Sequence, residues 1–189
     1  MTVRHAGHLV LILACAGGLS ACATTATPAA TATPATSTAT EAVVRLAPAS
    51  GSLVSGTLNI RPMADGVHIT GAVGGLKAGG SHGFHIHEKG DCSAADASSA
   101  GGHFNPTAQP HGRAGQGAHH AGDADNLVAD GKGVAKVNAH QSGVTLGGGA
   151  ANDIAGRAVI VHAQADDYTS QPTGNAGGRI ACGIITVTR

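Results

Sequence analysis

The chain has 189 residues, room for one domain with processing segments but not for two large domains. Eleven basic and eleven acidic residues cancel, which argues against a nucleic-acid partner, because polyanion binding needs a clustered positive excess. With 30 Gly, two Phe, one Tyr and no Trp, a core must be built from Val, Ile, Leu and Ala, while 12 His suggest metal binding or titration.

The chain opens with Arg4 as a positive n-region and Leu9 to Leu19 as a short apolar h-region. Roughly a dozen apolar residues fall short of the ~20 that span a bilayer, so residues 1–22 read as an export signal. The run ends in Leu19-Ser20-Ala21-Cys22, which resembles the bacterial lipobox. That resemblance implies cleavage before Cys22, acylation of its thiol and amine, and a stable membrane anchor. An ordinary signal peptide with Cys22 incidental is the alternative. Residues 23–40 use only Ala, Thr, Pro and Ser and are expected to be a disordered tether, with an end-to-end distance of roughly 25 Å. The folded domain is expected over residues 41–189, exported to the periplasm or cell envelope. Cys92 and Cys182 are the only cysteines in that body, Cys15 and Cys22 lying in the signal region. Export favours a disulfide between them. Closing a loop of about 90 residues contributes on the order of 4–5 kcal/mol in the chain-entropy model.

Eight short segments rich in β-branched residues follow, separated by Gly-rich punctuation: Val43–Leu46, Ser52–Arg61, Gly66–Val73, Gly83–His87, Gly133–Asn138, Gly143–Leu146, Arg157–His162 and Ile180–Thr188. None carries a helical apolar stripe. The pattern predicts an all-β sandwich or barrel. Two long irregular stretches, 89–130 and 163–179, interrupt it, and structureless loops of that length are normally functional or disordered.

His85 and His87 stand two apart on a predicted strand, so both side chains leave the same face and can grip one ion. His162 ends another predicted strand. In the first long stretch, His103, His111, His120 and Asp123 provide three imidazoles and a carboxylate, a closed tetrahedral set that suits zinc. An imidazole-rich set with an open position suits copper. Singly, each histidine is more often a surface residue. Six at these spacings, with an aspartate in register, point to a two-metal site.

Four stretches, Gly83-Phe84-His85-Ile86-His87-Glu88, Gly101-Gly102-His103-Phe104-Asn105-Pro106, His120-Ala121-Gly122-Asp123 and Gly174-Asn175-Ala176-Gly177-Gly178-Arg179-Ile180-Ala181-Cys182-Gly183, resemble signature stretches of the copper/zinc superoxide dismutases, in family order. The resemblance runs from about residue 43 to the C-terminus. It implies a Greek-key β-sandwich or flattened barrel of about eight antiparallel strands with two long functional loops. It also implies one copper ion per subunit on His85, His87, His103 and His162, and one zinc ion on His103, His111, His120 and Asp123, with His103 shared as a bridging imidazolate. Superoxide is the implied substrate, with Arg179 beside the copper to meet the anion and His103 as a proton source. Asp166 matches a carboxylate that in the family links a copper and a zinc ligand, here His85 and His111, with the adjacent Asp167 as the alternative. The ten residues between Cys92 and His103 look like the bacterial branch, whose subunit contacts differ from the eukaryotic ones, so a homodimer is allowed but its interface does not transfer. His119 stays unassigned, because only His120 keeps the family's His-x-Gly-Asp spacing, and His68, His82 and His140 read as ordinary surface or packing residues.

Two other readings stand beside the dismutase. A copper or zinc buffer of the same fold would be favoured by loss of a copper ligand or of the arginine, and all are present. A zinc hydrolase needs an open zinc position, and four side chains already fill that set.

Overall fold

The computed structural model describes residues 1–2 and 36–189. The export signal, Cys22 and most of the expected tether lie outside the described residues. Among the described residues there are nine strands: β1 Ala42–Pro48, β2 Ser55–Met63, β3 Gly66–Gly74, β4 Ser81–His82, β5 Phe84–His87, β6 Leu127–Val128, β7 Ala135–Ser142, β8 Ala158–His162 and β9 Arg179–Val187. Seven form one antiparallel sheet in the order β5-β8-β9-β1-β2-β3-β7, curled into a half-barrel, and β4 pairs with β6 as a separate ribbon.

Alternation explains the core. Val44 and Leu46, Leu58 and Ile60, Val67 and Ile69, and Val159 and Val161 each sit two apart and point inward, where they are buried with Phe84, Ile86, Leu146, Ile154 and Ile185. A second, smaller cluster lies under the long loop that follows β5. There Ala158 and Ile160, on the other face of β8, pack with Ala97, Ala100 and Cys182. Covering both faces buries every residue of β5 and β8. Five of these, His85, His87, Ala158, Ile160 and His162, face the loop side. The Cys92–Cys182 disulfide joins this loop to β9 across 90 residues, with Cα atoms 5.8 Å apart.

Two expectations need correction. The fold does not wait until Glu41. The Leu146 amide donates to Ser37 Oγ (2.9 Å), and the Thr38 and Ala39 amides donate to the Leu146 carbonyl (3.1 and 3.0 Å), so residues 37–39 are docked rather than disordered. The segment Gly143–Leu146 is not a strand. Its Val144 and Leu146 are buried anchors, but the backbone is gathered around Asp153, whose carboxylate accepts from the amides of Gly147, Gly149 and Ala155 (each 2.8 Å). A carboxylate satisfying three amides replaces the ladder a neighbouring strand would have supplied.

Candidate metal centre

Strand alternation puts His85 and His87 on one face of β5, while Phe84 and Ile86 enter the core. His162 arrives from β8, where a register shift between Val161 and His162 brings it opposite Arg179. Such an irregularity re-aims a side chain at the end of a pairing. His103 comes from the loop and forms an isolated bridge with His87, as Asp123 does with His85. The loop is thereby laid along β5. Gly122 makes this approach feasible, because a Cβ there would stand 2.1 Å from the Ile86 carbonyl oxygen.

His85, His87, His103 and His162 form one buried group whose ligand atoms all lie within 4.8 Å of one another. Each ring is fixed through one nitrogen. His85 Nε2 meets Asp166 Oδ2 at 2.8 Å, His87 Nδ1 the Gly101 carbonyl at 2.9 Å, His103 Nδ1 Asp123 Oδ1 at 2.8 Å, and His162 Nδ1 the Gly177 carbonyl at 3.1 Å. The opposite nitrogens, His85 Nδ1 and Nε2 of His87, His103 and His162, are buried without any partner. Four orphaned nitrogens converging on one point are an unsatisfied arrangement unless a cation sits among them. Burial, reinforced by the neighbouring His103, pushes His87 down to about 2; burial and His85 push His162 down to about 3. Burial also pushes His103 down to about 4, although Asp123 opposes this. These rings are therefore neutral at pH 7, with lone pairs free to bind metal.

His103, His111, His120 and Asp123 form the second buried group. Nδ1 of His103, His111 and His120 lie 2.8, 3.0 and 3.2 Å from Asp123 Oδ1. A tetrahedron with metal–ligand bonds of about 2.0–2.1 Å has edges near 3.3 Å, so this spacing suits zinc. His111 supplies the sharper test. Its Nε2 meets Asp166 Oδ1 at 3.0 Å, while its buried Nδ1 faces the Asp123 carboxylate without making a hydrogen bond. With Nε2 donating, that leaves a lone pair against a carboxylate oxygen, a repulsion a cation between them would relieve. Burial pushes the Asp123 carboxyl up, but donation from His103, His120 and the amides of Gly112 and His120 outweighs it and holds the group well below the usual carboxylate range. It is an anion ready to ligate.

Asp166, not Asp167, is the carboxylate that touches one ring of each group. Burial opposes its ionisation, but the His85 ring, the Tyr168 amide and His111 hold its carboxyl below the usual range. Gly174, at φ +63°, leaves it room, because a Cβ would fall 1.8 Å from Asp166 Oδ1. Asp167 is exposed and accepts from Thr169, Ser170 and Asn175 instead. Arg179 is half-buried, and Nη1 and Nη2 donate to the carbonyls of Ala97 (2.6 Å) and Gly101 (2.5 Å). Its charge reaches the first group, where it helps to lower both His87 and His162.

Several contributors were not singled out from the sequence. Gln171 brackets His111, accepting from its amide and donating to its carbonyl, both at 2.8 Å. Asn126 donates to the Asp166 carbonyl and accepts from its amide, also both at 2.8 Å. Only the buried partners distinguish such residues from ordinary loop polar residues, so no local sequence signal marks them. The unassigned histidines stay outside both groups. His68 pairs with Asn138, His140 with Asp65, His119 with the His120 carbonyl, and His82 is buried against the His162 carbonyl.

Comparison with known proteins agrees with this geometry. The family model for copper/zinc superoxide dismutase matches residues 54–185. A superoxide-dismutase-like protein from Bacillus subtilis is 39% identical, with a TM-score of 0.69 over 76% of this chain and 97% of that one. A double mutant of the same protein is 41% identical, with a TM-score of 0.70 over 76% of this chain and 96% of its own. The clock protein EA4 is 36% identical, with a TM-score of 0.70 over 82% of this chain and 98% of that one. With a match across most of the folded region and both donor groups in place, the chain belongs to the copper/zinc superoxide dismutase family.

Proposed function

We propose that the protein dismutes superoxide to dioxygen and hydrogen peroxide, with one copper ion held by His85, His87, His103 and His162 and one zinc ion by His103, His111, His120 and Asp123. The observation that carries this reading is the pair of adjoining donor groups sharing His103. Its Nδ1 lies in the aspartate-containing group and its orphaned Nε2 in the all-imidazole group. A bound copper ion would supply one-electron chemistry, taking an electron from one superoxide and giving it to a second.

The chain's own residues do the rest. The Arg179 guanidinium, fixed by two carbonyls, offers its remaining N–H donors to an incoming monoanion and cannot lose its charge. His103 Nε2 faces the same space and, when protonated, can donate one of the two protons that peroxide needs. Its Nδ1 is the nitrogen on the zinc side, so this proton moves at Nε2 alone. Asp166 orients one ring in each group and lets neither turn independently. Placement in an oxidising, extracytoplasmic compartment is consistent with the Cys92–Cys182 bridge. Anchoring through an acylated Cys22 rests on the lipobox resemblance alone.

Superoxide turnover by the full chain, loaded with copper and zinc and compared with His85→Ala, tests the proposal. Fast turnover lost in the variant supports it. Stoichiometric metal without turnover would instead leave a metal-holding protein.

A further inference from the structure

The curled sheet leaves a seam. Its two edges are β5 and β7, which do not pair with each other. Residues 121–123 run along one side of that seam, bound to β5 through the Ile86 amide and the Gly122 carbonyl (2.9 Å) and the His85–Asp123 bridge. From β7, Gln141 reaches them. It occupies an inward position, in line with Ala135, Val137 and Ala139, and is 1% exposed. Its Nε2 donates to the carbonyls of Ala121 and Asp123, both at 2.7 Å, while Oε1 has no partner. An amide on the inner face of a strand, with one end unsatisfied, costs stability compared with an apolar residue of the same shape. What it gains is a hold on the turn that carries His120 and Asp123.

We propose that Gln141 is a positioning residue for the zinc group: it latches the His120–Asp123 turn to β7, keeping the Asp123 carboxylate in place before metal arrives. This rests on the zinc reading above. Without the two donors, the Ala121 and Asp123 carbonyls lose these partners and the turn is free to leave the seam in the metal-free chain. Only the fraction still in place then binds, and apparent affinity falls by that fraction. A competent population of a few per cent corresponds to a loss of about 10–100-fold, the range seen when groups that orient metal ligands are removed.

Gln141→Met keeps the length and removes both donors. The full chain is stripped of metal, then titrated with zinc against a competing chelator and with cobalt(II), whose visible absorption reports the geometry of that group. Zinc affinity is expected to fall about 10–100-fold, with a broadened or shifted cobalt spectrum, while the metal-free chain still melts cooperatively, with a melting temperature lowered by the two carbonyls left without donors. Wild-type zinc affinity and cobalt spectrum in the folded variant would overturn the proposal, whatever happens to stability. Should Gln141→Met fail to fold, Gln141→Leu carries the same test, since it is apolar and also removes both donors. If the wild-type chain itself binds no zinc, the zinc reading fails first, which distinguishes the two failures.

Discussion

The two donor groups share a ring but are built by different means. Three of the four nitrogens in the all-imidazole group come from paired strands, His85 and His87 on β5 and His162 on β8. Backbone carbonyls of Gly101 and Gly177 hold two of these rings. In the aspartate-containing group all four ligands come from the loop between β5 and β6, held by side chains that arrive from elsewhere: Asp166, Gln171 and Gln141. Strand positions are fixed by the sheet's ladder, whereas loop positions depend on each polar contact being made. The first group should therefore be largely formed in the metal-free protein, and the second should be more sensitive to any lost contact or ligand.

Asp123→Ala breaks the comparison hardest. It removes the single anionic ligand, and zinc affinity should fall by more than about 100-fold, while copper still binds the strand-borne group. Equal loss at both, measured by metal analysis after dialysis, would mean that the groups are not separately built. Asp166→Asn should lower affinity at both by about 10–100-fold, because it touches a ring of each. An effect confined to one metal would assign the carboxylate to that group alone.

Arg179→Lys leaves the ligands untouched and should reduce superoxide turnover about 10-fold at low salt, with less effect at high salt, because steering of an anion is screened. A changed copper affinity would show instead that the guanidinium serves mainly to position His87. The smallest effect is on acid stability of the metal-free chain. His87, His162 and His103 are pushed down to about 2, 3 and 4 in the fold, whereas unfolded histidines titrate near 6.5. Below pH ~6.5 the unfolded chain binds more protons, so stability is full above that pH and drains away as pH falls through about 4, 3 and 2 in turn. A decrease of several degrees in melting temperature between pH 7 and 5 is expected, and bound metal should blunt it. A flat profile would mean that these rings are not desolvated without metal.

The strand-borne group was the easier one to read. Alternation places His85 and His87 on one face from sequence alone, and seven of the eight expected strands have a counterpart in the fold. The loop group was legible as ligand types in order, but not as a holding framework. Asp166 and Asp167 are neighbours of one type, and only burial against His85 and His111 separates them. Gln141 lies beyond the expected strand, which ends at Asn138, so alternation read from the sequence does not reach it. The β4–β6 ribbon, two residues on each side, is too short to leave any periodic trace.

One peptide oxygen links the arginine to the all-imidazole group. The Gly101 carbonyl receives both the His87 ring and the Arg179 guanidinium, and the Ala97 carbonyl, at the start of the short 3-10 turn Ser98–Ala100, receives the other arm of the arginine. This divides the stretch after Cys92 into two kinds of chain. Near the exposed Ser93 and Asp96, added residues can bulge into water, and loop length is free to drift or be engineered. Between Ala97 and Gly101 a single insertion would displace the Arg179 charge and retilt the His87 ring together. Between Cys92 and Gly101, length variation therefore has one permitted address.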